Sequence, residues 1–266
     1  MSQDRFDVPD EFWEIVEPLL PKKKKNPKGG RPMTDERKAF AGILYRMRTG
    51  IGWRDLPPMY GTKSSVHRRF QEWVKIGVFD KIQKKTLKYY EKRKGILTKR
   101  MAADGSYTRA PKGGPHTGAN PTDRGKLGVK KHILVDRRGA PVSIIVSKAN
   151  VHDSKLLKPT LEKFNIKRRD LRLIPEILSL DKAYQDRKIK AMLRKKGIKY
   201  RIPSKANAVN PEKYPKLKPF RWTVERTISW INNFRAVKTC WEYNSANYFA
   251  LCQMACSIIL LRMSLR

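Results

Sequence analysis

Two neighbouring stretches of strict alternation constrain this chain most. In LGVKKHILV, Leu127, Val129, Ile133 and Val135 recur at period two, and after Arg138-Gly139 the residues Val142, Ile144 and Val146 do the same. Period two is the mark of a strand with one apolar face, and a Gly-containing turn between two such strands makes an antiparallel hairpin. An earlier strand leading into Asp104 adds a third member. Further on, EILSLD reads as a short apolar strand ending on Asp181, and IKYRI as another. Between them helices are predicted from a cap at Asp153 and Ser154 to about Phe164, and over 184–196. The order strand, strand, strand, helix, strand, helix, strand, helix specifies an α/β fold, a mixed sheet with helices on its faces.

Before about residue 99 the period is helical. DEFWEIVEPLL is a short amphipathic helix stopped at Pro21, and KKKKNPKGGRP reads as a flexible basic linker. Thr34 is the expected N-cap of a helix reaching about Arg48, with Gly50 and Gly52 beyond it. A turn rich in Pro and Gly leads to a helix from about Ser64 to Ile76. Val66, Phe70 and Trp73 take one side of it, leaving Lys63, Arg68, Arg69 and Lys75 available. Helix, turn, basic helix suggests helix-turn-helix docking on DNA, ahead of a small bundle with a solvated basic face. Residues 80–98 continue as a basic helix linking this region to the strands. The division expected is a small all-α domain over 1–98 and a sheet domain over 99–266.

Sixty Lys and Arg against 24 Asp and Glu give a formal net charge of +36. Such an excess repels itself unless a polyanion neutralises it, so the implied partner is DNA or RNA. No lipidation signal or isolated basic amphipathic helix points to a membrane, and no apolar signal region is read at the N-terminus. Ala246 to Leu261 is uncharged, but it is interrupted by Asn247, Gln253 and Ser257 and is shorter than the ~20 apolar residues of a spanning helix. It reads as a buried helix. Cys240, Cys252 and Cys256 include no CxxC pair, which argues against a disulfide framework or a zinc knuckle and for a reducing compartment.

Against that basic background three carboxylates stand in contexts suited to metal-assisted phosphodiester chemistry. Asp104 precedes Gly105 at a strand end, and Asp181 closes an apolar strand; ligand sites in such sheets collect beyond strand ends. In FRWTVERTISWINNF, Phe220, Val224, Ile228, Ile231 and Phe234 form one stripe at ~100° per residue. Glu225 falls beside that stripe with Arg221 and Asn232, aimed toward the strand ends if the stripe packs on the sheet. The plainer role for Glu225 is an i,i+4 pair with Arg221. Converging carboxylates repel unless cations intervene, and hard oxygen ligands select Mg2+ or Mn2+. Two such ions roughly 3.5 to 4 Å apart serve in-line displacement at phosphorus.

At DGSYTRAPKGG, LSLDKAY and WTVERTISWINNFRAV the sequence resembles the DDE transposases of bacterial insertion sequences, specifically the insertion-sequence-five-like group. GGRPMTDERKAFAGILYRMRTGIGWRDLPPMYGTKSSVHRRFQEW is similar to that group's N-terminal module, so the resemblance covers nearly the whole chain. It implies an RNase H-like catalytic domain with Asp104 and Asp181 as the paired aspartates and Glu225 as the third ligand. It also implies cleavage at terminal inverted repeats and attack of a 3′-hydroxyl on target DNA, by a homodimer in the bacterial cytoplasm at the nucleoid. The family's Glu signature has Tyr and Arg before the Glu and Lys after it. Arg221 matches, whereas Lys218 and Asn232 stand where Tyr and Lys are expected, with Arg226 or Arg235 as substitutes for their phosphate contacts. An RNase H-like nuclease without strand transfer, or a DNA-binding protein that has lost catalysis, is the alternative.

In ANVHDS, which also looks like a family segment, Asp153 reads as a helix cap ahead of a part in the active site. His67, His116 and His132 show no ligand spacing and read as ordinary surface or strand residues. The loop RAPKGGPHTGANPTDRGK suits either a phosphate backbone or a plain flexible connection.

Overall fold

The computed structural model describes residues 7–22, 34–204 and 220–266. Most of the basic linker and Lys218 lie outside them. Helix α1 (Asp10–Val16) runs into a 3-10 turn, Glu17–Leu19. Helix α2 (Glu36–Thr49) is capped by Asp35, whose carboxylate accepts from Lys38 N at 2.8 Å, and not by Thr34. Either side chain could take the first-turn N–H, but the carboxylate also meets the positive end of the helix. Helix α3 (Lys63–Lys75), capped by Thr62, buries Val66, Phe70 and Trp73 as expected. Helix α4 (Val78–Lys94) does more than link, since Val78, Phe79, Ile82, Leu87 and Tyr90 are buried along it.

The strands are β1 (Met101–Arg109), β2 (Gly118–Ala119), β3 (Leu127–Val135) and β4 (Pro141–Lys148). After α5 (Asp153–Lys163) a small separate hairpin, β5 (Lys167–Arg168) and β6 (Leu171–Arg172), precedes β7 (Ile177–Ser179). A 3-10 turn over Lys182–Tyr184 leads to α6 (Arg187–Lys195) and β8 (Lys199–Arg201). The main sheet runs β4-β3-β1-β7-β8, with β2 against the start of β3. β1, β3 and β4 are antiparallel, whereas β7 and β8 run parallel to β1. This is the RNase H-like mixed sheet, and the β3–β4 hairpin is the one the alternation specifies.

Helices cover both faces. α5 packs on β3 and β4 from one side, and α7 (Trp222–Asn232) on β1 and β3 from the other. β3 is therefore sealed from Gly128 to Val135, and Lys130, Lys131 and His132 are 2%, 0% and 0% exposed. The alternation suggested one dry face; the second is dry as well, and His132 is a core residue. β1 also departs from expectation, because it continues past Asp104 to Arg109. On one side β3 stays paired with it to the end, while on the other β7 pairs only with Met101 and Ala102. Asp104 thus stands where the sheet loses one neighbour rather than where the strand stops.

After α8 (Arg235–Lys238), α9 (Ser245–Leu265) packs against α4 and β4. Its 21 residues are long and apolar enough to cross a membrane by composition, but 78% of its most apolar window is buried inside the protein. Burial, not shortness, makes it a core helix. One continuous apolar cluster joins Phe12, Phe40 and Trp73 to Val224, Ile231, Cys252 and Ile258, so the core runs across the change of secondary structure at residue 99.

Candidate active site

β1 carries Asp104 on the face that α7 covers, one residue before Gly105. Asp181 follows β7 and caps the 3-10 turn, its Oδ1 accepting from Ala183 N at 2.6 Å. Glu225 rides on α7, which is anchored to the β3–β4 turn. There Thr227 Oγ1 donates to Gly139 O at 2.7 Å, and a Cβ on Gly139 would sit 2.9 Å from that hydroxyl. Val224, Ile231, Phe220 and Phe234 are buried as the stripe requires, joined by Thr223 and Thr227, with Ile228 half-buried. Glu225 lies beside this face with its side chain 56% exposed.

Two of the three carboxylates share one cation. Arg221 Nη2 lies 3.2 Å from Asp104 Oδ2 and 3.2 Å from Glu225 Oε1, so the i,i+4 pair and the convergence are met by the same guanidinium. Burial alone would lower the Arg221 pKa, but Asp104, Asp181 and Glu225 together hold it above its usual value. Burial pushes the Asp104 carboxyl above the ordinary range, only partly offset by Arg221. Among the described residues no three His, Cys, Asp or Glu side chains stand close enough to share one ion. The donor set nonetheless fits a hard divalent cation, being all carboxylate oxygen. Each aspartate also has Oδ1 fixed by a nearby backbone N–H, Gly105 N at 2.9 Å for Asp104, with Oδ2 as the second donor.

A family described as "Transposase DDE domain" matches residues 95–260, spanning all three carboxylates and most of the chain. The chain belongs to the DDE transposase family. A second match, described as "Putative transposase of IS4/5 family", covers residues 8–83 of this transposase. It is 31% identical over 151 residues to "Putative transposase for insertion sequence element IS402" of Burkholderia cepacia, covering 55% of this chain and 69% of that relative. It is also 38% identical over 120 residues to "Insertion element IS402 uncharacterized 16.2 kDa protein" of the same organism, 43% of this chain and 80% of that protein. Among solved structures, a piggyBac transposase synaptic complex with hairpin DNA matches with a TM-score of 0.46 and 13% identity, over 97% of this chain and 73% of that one. The Mos1 mariner transposase catalytic domain gives 0.29 and 11%, over 74% and 94%. Family membership brings with it a general dependence on divalent metal.

Of the basic residues singled out in the transposase, Lys63, Arg68 and Lys75 are exposed on α3. Arg68 and Lys63 line a groove of about 1070 Å³ with Lys38, Arg54 and Met59. Arg69 lines the same groove but is only 7% exposed, with its guanidinium 3.7 Å from Glu72. One residue on, the helix has turned by ~100°, which takes Arg69 to the side shared with Val66 and Trp73. Arg235 is exposed, while Arg226 lies between the rings of Trp222 and Trp230 and donates to Arg138 O at 2.7 Å. Asn232, where the family pattern has Lys, accepts from Lys131 Nζ at 2.8 Å.

Asp153 is not the cap of α5. That role falls to His152, whose Nδ1 accepts from Ser154 N at 3.3 Å. Freed from capping, the Asp153 carboxylate lies 3.1 Å from Lys130 Nζ and packs on Gly105, where any Cβ would come within 2.1 Å of its Oδ1. His132 bonds Tyr184 and Thr160, and burial pushes its imidazole down to about 3. The Tyr184 hydroxyl is raised well above its ordinary pKa, first by burial and then by Asp153, Asp104 and Asp181. The available signal was the polar triplet Lys130-Lys131-His132 set between LGV and ILV, too hydrophilic for a strand buried on both sides unless each side chain has a partner.

Proposed function

We propose that this transposase binds the terminal inverted repeats of its own insertion sequence through the N-terminal helices and cuts and joins DNA at Asp104, Asp181 and Glu225. The meeting of Asp104 and Glu225 on Arg221, inside the field of Asp181, carries this reading, because it brings groups from β1 and α7 onto one guanidinium within electrostatic reach of the turn after β7. Asp104 and Asp181 would hold two Mg2+ or Mn2+ ions and Glu225 would complete one site. Such ions, when bound, polarise the scissile phosphate and favour the hydroxide or alkoxide form of the attacking oxygen. Arg221 then exchanges its carboxylate partners for a phosphate oxygen, orienting the DNA backbone for in-line attack, first by water and then by the freed 3′-hydroxyl.

Lys63, Arg68 and Lys75 on the open side of α3 supply the phosphate contacts of end binding, with Arg235 as a further contact nearer the catalytic helix. Synapsis of two ends calls for a homodimer on DNA, working at the bacterial nucleoid. Joining of a pre-cut end to target DNA in Mg2+ tests the assignment. Asp104→Ala should abolish joining and leave end binding intact; joining that survives this substitution removes Asp104 from the mechanism.

A further inference from the structure

The three consecutive buried residues of β3 each bond to a different part of the site. Lys130 Nζ donates to Val151 O at 2.6 Å, lies 3.1 Å from Asp153 Oδ1 and sits 4.5 Å from the centre of the Tyr107 ring. Asp153 and the Lys130 stem both press on Gly105, whose N–H orients the Asp104 carboxylate. Lys131 points to the opposite face. There it bonds Asn232 Oδ1 at 2.8 Å and Val237 O at 3.2 Å, gripping the end of the helix that carries Glu225.

His132 returns to the first face. Thr160 Oγ1 gives its proton to Leu156 O at 2.8 Å, so it accepts from His132 Nδ1 at 2.7 Å. That leaves Nε2 bare to accept the Tyr184 hydroxyl at 2.6 Å. Tyr184 ends the short turn that Asp181 caps, so this bond holds the turn bearing the second aspartate.

We propose that Lys130, Lys131 and His132 are positioning residues of the catalytic site, one strand segment fixing Asp104, Glu225 and Asp181 respectively through Asp153 and Gly105, Asn232, and Tyr184. The alternation of a strand sends the first and third to one face and the second to the other, so adjacent residues reach elements on opposite sides of the sheet. Buried polar groups of this kind tolerate only one arrangement, because any other leaves a donor or acceptor unpaired away from water.

The inference rests on the proposed function, and the test separates the two. Lys130→Met, Lys131→Met and Tyr184→Phe each remove one tether while nearly keeping side-chain volume. Mn2+ binding to the complex with end DNA is followed by electron paramagnetic resonance, alongside the Mg2+ concentration that half-saturates joining and the affinity for end DNA. Each variant should bind Mn2+ about 10- to 100-fold more weakly, shift the Mg2+ requirement in parallel, and keep its DNA affinity within about twofold. Should Lys130→Met fail to fold, Asp153→Asn tests the same tether, and His132→Gln stands behind Tyr184→Phe in the same way. Folded variants that retain the parent's Mn2+ affinity overturn the inference while the proposed function stands. A parent protein that neither binds Mn2+ nor joins ends overturns both.

Discussion

Two arginines tie helices to distant carboxylates and differ in almost everything but chemistry. Arg46 of α2 donates to Glu242 at 2.6 Å with the side chains 5% and 8% exposed, under the ring of Trp53 at 4.4 Å. Arg221 of the catalytic helix reaches Asp104 and Glu225 at 3.2 Å each, itself 38% exposed. The sealed pair cannot change partners without opening the core, and it fastens the N-terminal helices to the segment before α9. The open pair can hand over its carboxylates when a competing cation or phosphate arrives. Burial, not the choice of residue, separates a rivet from a placeholder.

The strongest test of that contrast is Glu242→Ala. Leaving Arg46 buried without its partner should cost about 3–5 kcal/mol of stability by urea unfolding, and a loss near zero would make the two ties equivalent. Acid should act on the sealed interior too. The His132 pKa is pushed down to about 3 from an ordinary 6.5, so between those values the unfolded chain binds the proton that the folded one refuses. The stability tied to neutral His132 is full above about pH 6.5 and falls with pH below it, by ~2 kcal/mol at pH 5. His132→Gln should remove that component of the pH dependence, as read from parallel urea titrations.

Arg221→Ala should cost under about 1 kcal/mol of stability yet slow joining about a hundredfold. A large stability loss would place this tie with the buried one. The smallest effect separates neighbours on α3. Arg68→Ala should reduce the slope of log K against log salt by ~0.9, one phosphate contact, whereas Arg69→Ala should leave the slope alone and lower stability instead. Equal slopes in both variants would remove Arg68 from the DNA surface.

Asp104, Asp181 and Glu225 stand out in the sequence because each has a local signature, a strand edge or a helix stripe, that needs no knowledge of distant parts. The β3–β4 hairpin was legible for the same reason. The buried partners were not. Lys130 and His132 look solvent-facing in an alternating strand until α5 covers them, and α5 is brought there by the crossover and not by the strand. The burial of Arg69 beside exposed Arg68 was not legible, because a helical wheel fixes relative angles but not how wide the buried sector is. Asp153 was given the cap because Asp commonly takes it, while the imidazole beside it can accept the same bond. Asp104 was placed at a strand end because unequal pairing on the two edges of β1 is a property of the sheet.

Helix α9 carries a consequence for how the protein comes into being. It fills the space beside α4 and β4, and its residues close the cluster that also holds Phe40 and Trp73. During synthesis at ~5–20 residues per second, the first hundred residues therefore emerge well before the surface they must cover exists. The N-terminal helices and the sheet then mature in one late step, when the polypeptide around Ser245–Leu265 has left the ribosome. A nascent chain is in this sense unarmed: Asp104 and Asp181 are made well before Glu225, and the apolar core behind α7 closes only when α9 packs.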